Sequence, residues 1–435
     1  MTEMERLMQY IWQHRLWMPA DMKTVDGRRV QVLDPGRLNT DAGPDFFNAK
    51  VIIDGQKWAG DIEIHVRASD WHRHRHDHDP AYRSVILHVV ARDDAAIQRP
   101  DGQTIPQMRM ECDPGFHHSY TALVGHSASS SLPCASEIRS IENIHLHGWL
   151  DRLAFERLHA KADRIERLLR RTNGDWEEAC FITLARALGF GVNSDPLERL
   201  AASIPLAAIG KHSDSPLSIE AMLLGQAGLI PPADTSSSDR YASLLRREYE
   251  FLAHKFSLTP LDNPGWKMAR MRPANFPHRR IAFLSAMLLG GFKFMSAITS
   301  ATGTEEILKI FNAPITGYWE SHYHFGKESP GLPTMLSLSS KRILAINVAA
   351  PILYAWGTTH NLRRWQDAAV ALLQDIPAES NSITSLFGSA GIKCTDAFTS
   401  QALIQLRREY CESRKCLYCR IGHRMLARKS IARNQ

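Results

Sequence analysis

The sequence lacks the features of an exported or membrane-spanning protein. Residues 1–5 include two acids, and no apolar core of the signal-peptide type follows them. The longest apolar runs, residues 281–292 and 343–356, are too short to cross a bilayer and are interrupted by Gly, Asn or Pro. We therefore expect a cytoplasmic protein that has no membrane partner.

Two common catalytic motifs are also missing. Gly290 and Gly291 lie inside an apolar run without a following Lys and Ser or Thr, so the chain has no phosphate-binding glycine loop. No Gly-x-Ser-x-Gly elbow of a serine hydrolase occurs either. Cysteine is scarce, with 7 in 435 residues. An odd number with three crowded near the C-terminus favours a reducing compartment and a metal site over a disulfide framework.

The composition is that of an ordinary globular protein, with 44% hydrophobic and 23% charged residues. The length allows two or three domains with full-sized cores. The formal net charge of +6 is compatible with a nucleic-acid partner and equally with none.

A hairpin is the feature around which the chemistry is organised. Residues 49–53 form a strand pattern that turns at Asp54-Gly55 and returns through residues 57–67. Alternate residues of a strand share a face, so Asp61, Glu63 and His65 line up together. The hairpin brings Asp45 beside Glu63. The alternative is an antiparallel strand whose acidic face is simply solvated.

Histidines crowd the segment that follows. His72, His74, His76 and His78 occupy every second position, as in some metal-ligand sets, but interleaved arginines and Asp79-Pro80 favour an active-site or phosphate-facing loop. Residues 84–91 are predicted to form a strand buried in the middle of a sheet. His88 on this strand is either a core residue, an outer partner of the site or a proton relay. His74, His76, Asp79, Tyr82 and His88 are therefore candidates for the surroundings of the site.

These motifs, GPDF, GDIEIH, SDW and LHVV, resemble an uncharacterised bacterial family known only as a domain of unknown function, and the resemblance extends over nearly the whole chain. A weaker resemblance is to the PD-(D/E)xK nuclease superfamily. It implies that Asp45, Glu63 and Asp61 bind Mg²⁺ or Mn²⁺ and that His65 stands where the superfamily has a lysine. It also implies that Glu5, on a helix predicted over residues 3–16, is an additional acid near the site.

The expected fold is α+β, with an N-terminal restriction-endonuclease-like mixed sheet over residues 1–115, a connector over 116–140 and a mainly helical region over 141–435. Within that region residues 263–280 read as a loop in which Trp266 and Phe276 alternate with basic residues. Arginines and aromatics together suit phosphates and stacked bases; the alternative is an ordered loop with buried aromatics. The candidate nucleic-acid contacts are Lys267, Arg270, Arg272, Arg279 and Arg280.

The C-terminal tail carries the most specific chemical motif. Cys411, Cys416 and Cys419 place three thiolates on a short segment, as zinc sites and iron-sulfur clusters both require. His423 would complete a zinc site, whereas Cys394 or Cys134 would make a four-thiolate site.

Three functions follow from the sequence. The first is a divalent-metal-dependent nuclease in which Asp45, Glu63 and His65 are catalytic. The second is a non-catalytic nucleic-acid-binding or scaffold protein that keeps the fold. The third is a metal hydrolase of a small substrate that uses the histidine loop.

Overall fold

The computed structural model describes residues 2–17, 22–39, 41–98, 102–111, 120–121, 132–232 and 239–431. It divides into two compact units, Met1–Leu146 with Arg408–Gln435, and His147–Arg407. The division differs from the sequence-based boundaries, because the last residues of the chain return to the first unit. Most of the predicted connector 116–140 lies outside the described residues.

The first unit is built on a mixed sheet of six strands, which confirms the predicted α+β class. The strand order is β1-β3-β4-β5-β6, with β2 also paired to β3. The β4–β5 and β5–β6 pairs are parallel, and the others are antiparallel. The strands are β1 Val30–Asp34, β2 Arg37–Leu38, β3 Phe46–Ile53, β4 Gln56–Arg67, β5 Val85–Arg92 and β6 Gln107–Arg109.

The predicted hairpin is β3 and β4. Its turn residues Asp54 and Gly55 both have positive φ, 51° and 83°, as a two-residue turn of right-handed twist requires. Residues 61–65 of β4 are buried, because helix and loop segments of the first unit, among them residues 3–13, pack on this strand. The solvated-face interpretation of Asp61, Glu63 and His65 is therefore wrong.

Helix α1, Glu3–Gln13, packs on β4. A capping box begins it: the Thr2 hydroxyl accepts from the Glu5 N–H at 3.2 Å, and Glu5 Oε2 accepts from the Thr2 N–H at 2.6 Å. Its side chains Leu7, Ile11 and Trp12 are buried.

The tail completes the first unit. A 3₁₀ turn, Cys416–Tyr418, leads into the helix Arg420–Ile431, whose side chains are described as far as residue 426. Leu417, Ile421 and Leu426 are buried. The Tyr10 hydroxyl of α1 is hydrogen-bonded to Nδ1 of His423.

The second unit is almost entirely helical, as the change to a helical period predicts. A two-stranded ribbon, His322–His324 with Lys327–Glu328, is included in it. Within the described ranges no helix has the length and apolar character needed to cross a membrane. The first α-helix of the second unit, Asn143–Arg171, begins in the last residues of the first unit. The α-helices that follow are Trp176–Leu188, Ser194–Ala202, Leu206–Gly210, Pro216–Gln226, Arg240–Phe256, Pro277–Leu288, Phe294–Ser300, Thr304–Lys309, Leu338–Leu344, Ala350–Thr359, Arg363–Asp375, Ser382–Ser389 and Ala397–Gln405.

Candidate functional site

The structure brings the two predicted acids together at the sheet. The Asp45 N–H donates to Glu63 Oε2 at 3.1 Å. Asp45 Oδ2 accepts from the Ile64 N–H at 3.0 Å, and Oδ1 accepts from Gln9 Nε2 at 2.8 Å. Both carboxylates are thus held in place by donors from β4, α1 and the residue that precedes β3.

Three imidazoles meet on the other side of Glu63. Glu63 Oε1 lies 3.3 Å from His65 Nε2 and 3.2 Å from His76 Nε2. His65 Nε2 lies 3.1 Å from His74 Nδ1. One nitrogen from each of His65, His74 and His76 lies within 4.8 Å of the other two.

A left-handed residue aims two of the loop histidines inward. The loop folds as a short helix α2, Asp70–Arg73, followed by the 3₁₀ turn His76–His78, and Arg75 between them has a φ of 62°. His74 and His76 reach the site. The side chains of His72 and His78 are 51% and 81% exposed and pair with Asp77. The spacing at every second position therefore includes two histidines, His72 and His78, that do not belong to the cluster.

Aromatic rings and a buried histidine enclose this cluster. Tyr82 stacks on His76 at 3.8 Å between ring centroids, and Trp71 meets His76 edge-on at 5.5 Å. His88 on β5 is 0% exposed, and its Nε2 lies 2.9 Å from His65 Nδ1. Since His74 is exposed, the cluster is open to solvent on that side and closed at His88.

The electrostatics of the cluster follow from burial. Burial and the charge of Glu63 raise the pKa of Asp45 to about 8, and burial together with the charge of Glu5 raises the pKa of Glu63 to about 8. Burial, followed by the neighbouring histidines, lowers the pKa of His65 to about 2. The pKa values of His74 and His76 are also lowered, chiefly by burial. The rings are therefore neutral near pH 7, which is the form that binds metals.

Helix α1 contributes two polar residues to this region. Glu5 is 4% exposed, and its charge acts on Asp45, Glu63 and His74. Sequence reasoning missed Gln9, which holds Asp45. The signal was there: Glu5 and Gln9 are four residues apart, so two polar groups lie on the helix face that packs on the sheet.

Two predicted site residues have structural partners instead. Asp61 Oδ1 accepts from the Asn48 N–H at 3.0 Å and Oδ2 from Ser84 Oγ at 2.5 Å. Asn48 has a φ of 57° and lies where the register of β3 and β4 shifts, so Asp61 stabilises a β-bulge. Asp79 caps the 3₁₀ helix Pro80–Ser84, which carries Tyr82.

The basic segment of the second unit is divided between surface and interior. Lys267, Arg270 and Arg272 are exposed. Arg279 is 0% exposed and donates to the carbonyls of Trp319 and Pro333, and Arg280 packs over the Phe190 ring at 4.3 Å. Both arginines belong to the helix that begins at Pro277, and Arg279 is too buried to contact a nucleic acid.

The tail residues are brought near α1 without forming a closed ligand set. Cys411 ends a π-helical turn, Cys416 begins the 3₁₀ turn and Cys419 precedes the last helix. The His423 ring contacts Tyr10 and His14 instead, at 5.8 and 4.7 Å between ring centroids.

The first unit is thus a mixed α/β unit with a cluster of imidazoles and carboxylates, the two group types that most often bind metal ions in proteins. The chain belongs to the family described as "Protein of unknown function (DUF2851)", whose model matches residues 5–382. The match includes the whole cluster and ends before the cysteines of the tail. No curated protein and no solved structure matches the chain, so the restriction-endonuclease resemblance gains no support.

Proposed function

We propose that the protein is a metal-dependent hydrolase whose ion is a transition metal of the zinc type, held by His65, His74 and His76. The observation that carries the proposal is the convergence of one nitrogen from each ring within 4.8 Å. Neutral imidazoles are the ligands that zinc and its neighbours prefer, and three protein ligands with one open position are typical of catalytic zinc.

The spacing of two of the ring nitrogens fits a cation between them. Two bonds of about 2.0–2.1 Å at a tetrahedral angle span about 3.3–3.4 Å. The separation of 3.1 Å between His65 Nε2 and His74 Nδ1, two of the proposed ligand atoms, is close to that span. Each of these two nitrogens can carry a lone pair, and nitrogens this close need a proton or a cation between them.

The remaining residues have roles that their contacts define. A bound ion of this kind lowers the pKa of a water molecule and polarises the substrate. Glu63 Oε1 faces two of the ring nitrogens. Its raised pKa of about 8 keeps a proton on Glu63 near pH 7, and a cation bound beside it would displace that proton, so that the carboxylate could then accept the proton of the water. The Asp45 N–H fixes Glu63 Oε2. His88 orients His65 as a positioning residue.

The experiment uses two histidine pairs from one loop. The full chain is loaded with zinc, and hydrolysis of activated phosphate and carboxylate esters is compared between wild type, His74→Ala with His76→Ala, and His72→Ala with His78→Ala. We expect the first pair to lower the zinc bound by one equivalent and to abolish hydrolysis, and the second pair, on exposed side chains, to leave both unchanged. Equal zinc binding by the two double variants would refute the proposal.

A second candidate is the divalent-metal-dependent nuclease, because Asp45 and Glu63 do share one surface. Nuclease assays with Mn²⁺ on wild type, Asp45→Ala and Glu63→Ala separate it from a non-catalytic nucleic-acid-binding scaffold. Cleavage that needs Mg²⁺ or Mn²⁺ and survives loss of His74 and His76 supports the nuclease. Binding without cleavage in every form supports the scaffold, with Lys267, Arg270 and Arg272 as the exposed contacts.

A further inference from the structure

The hydrolase proposal uses no residue of the helical unit, and this unit has a cavity of its own. The cavity volume is about 370 Å³, near the lower end of the range of about 300–1,000 Å³ that is typical of small-molecule sites. It lies where the start of the helix Arg240–Phe256 meets the start of the ribbon strand His322–His324. The residues that line it are Asp239, Arg240, Tyr241, Leu244, Tyr318 and His322.

Three of these residues form a stack of rings. The ring centroids of Tyr241 and Tyr318 are 4.6 Å apart, with 17° between the ring planes. The centroids of Tyr318 and His322 are 3.8 Å apart, with 15° between the planes. Leu244 is 41% exposed and adds an apolar side chain to the same cavity. Near-parallel rings beside an apolar side chain form a surface on which a further planar ring can pack.

The carboxyl groups around the stack already have hydrogen-bond donors. Asp239 accepts from the Tyr318 hydroxyl and from the Tyr241 N–H, the latter at 2.9 Å. The Gly326 N–H is a third donor to Asp239, at 2.9 Å. Glu220 accepts from the Tyr241 hydroxyl at 2.7 Å. Both acids therefore fix the tyrosine rings in place, and neither is left free to bind a cationic ligand.

The arginine of the cavity, by contrast, is free. Arg240 is exposed, and among the residues that the structure describes its side chain has no hydrogen bond or ion pair. His322 is the other basic group of the cavity, and its Nε2 lies 3.5 Å from Glu328 Oε1. A guanidinium group binds carboxylate and phosphate through two parallel N–H bonds. A flat ring surface with a free guanidinium beside it therefore favours a ligand that is planar and negatively charged.

We propose that this cavity binds a small planar aromatic molecule that carries a carboxylate or phosphate group. The aromatic ring packs on the stack and against Leu244, and Arg240 binds the anionic group. The site shares no residue with the histidine cluster, so the ligand binds in the presence and in the absence of zinc.

The test compares matched ligands by isothermal titration calorimetry of the full-length protein. Naphthoate has both features, naphthamide has the same rings without the charge, and cyclohexanecarboxylate has the charge without an aromatic ring. We expect naphthoate to bind about tenfold or more tightly than either control. Adenosine monophosphate is titrated as the phosphate form of the same chemistry, and the tighter of the two anions identifies the preferred group. The proposal is wrong if neither aromatic anion binds, or if either control binds as tightly as naphthoate.

Arg240→Gln separates the role of the guanidinium from that of the rings. It should weaken the binding of the aromatic anion by about 10- to 100-fold, because a hydrogen bond between charged groups is lost. The matched control is Arg247→Gln, an exposed arginine of the same helix that does not line the cavity, and it should leave the affinity unchanged. Equal affinities of these two variants would overturn the assignment of Arg240.

A photoreactive anion locates the site without any variant. The wild-type protein is irradiated with azidobenzoate, and the labelled peptides are identified by mass spectrometry. Peptides that contain residues 240–244 or 318–322 should carry the label, and an excess of naphthoate should protect them. Label that naphthoate displaces only from other peptides would place the binding elsewhere and contradict the proposal.

Discussion

The ring of His88 determines which nitrogen of His65 is free to bind a metal ion. It is fully buried, and within the described part of the chain its Nδ1 has no hydrogen-bond partner, so its contact with His65 is its one polar interaction. An acceptor at His88 Nε2 keeps the His65 proton on Nδ1 and leaves His65 Nε2 for a metal ion. The position of a histidine on a core strand could be predicted from sequence, but its hydrogen-bond partner could not.

We predict that His88→Leu weakens zinc binding by about 10- to 100-fold, the usual cost of losing an outer partner of a metal ligand. His88→Gln should restore most of the affinity, because its amide oxygen can accept from His65 Nδ1. Competition with a chromogenic chelator measures both, and His78→Leu is the control on an exposed histidine. If His88→Leu and His78→Leu bind zinc equally well, His88 does not position His65.

Glu220 in the helical unit gives a prediction about pH. Its Oε2 accepts from Tyr241 at 2.7 Å and Trp319 at 2.6 Å, and burial raises its pKa to about 7. The folded state therefore keeps a proton that the unfolded state loses near pH 4.5. The stabilisation is complete below pH 4.5 and is lost as the pH rises through about 7.

Glu220→Gln should remove that pH dependence. We expect the variant to gain stability relative to wild type between pH 4.5 and 7, by up to about 3 kcal/mol at roughly 1.4 kcal/mol per pKa unit. Urea unfolding of both proteins at several pH values measures the difference. A difference that is constant over this range would show that Glu220 titrates normally.

The hairpin and the histidine loop show why some elements could be predicted and others could not. Asp54-Gly55 between two apolar strands is a local signal, and the hairpin formed as expected. The loop depends on Arg75 in a left-handed conformation, which has no sequence signature because arginine rarely adopts it. The bulge at Asn48 likewise gave Asp61 a structural partner that alternation alone could not reveal.

Because Asp61 supports the bulge, Asp61→Ala should lower the free energy of unfolding of the first unit by about 1–3 kcal/mol through loss of its hydrogen bonds. Zinc affinity should stay within about twofold of wild type, because the hydrogen-bond partners of Asp61 do not include the three histidines, and residues without shared partners act independently. Denaturation and zinc titration of one preparation give both values. Loss of zinc binding without loss of stability would instead make Asp61 a ligand.

The assignment of the C-terminal residues to the first unit cannot be predicted from a local sequence pattern. The period changes from strand to helix after the first sheet, which placed a domain boundary near residue 115. The return of Arg408–Gln435 to the first unit depends on contacts between residues hundreds of positions apart. Leu417, Ile421 and Leu426 are buried in that unit, each contributing about 1.5–3 kcal/mol.

Deletion of residues 408–435 should therefore destabilise the first unit selectively. Amides of β3, β4 and β5 should lose hydrogen-exchange protection, because the tail no longer covers apolar side chains of that unit. Amides of the helices in residues 147–407 should keep theirs. Protection of the strands that is unchanged by the deletion would show that the tail adds nothing to the first unit.

The central claim is that three histidines bind one metal ion, and anomalous X-ray scattering at the zinc edge from crystals of the zinc-loaded full chain tests it most directly. The account predicts a peak about 2.0–2.1 Å from one nitrogen of each of His65, His74 and His76, beside Glu63 Oε1. A zinc-loaded crystal with no peak among these rings would contradict it.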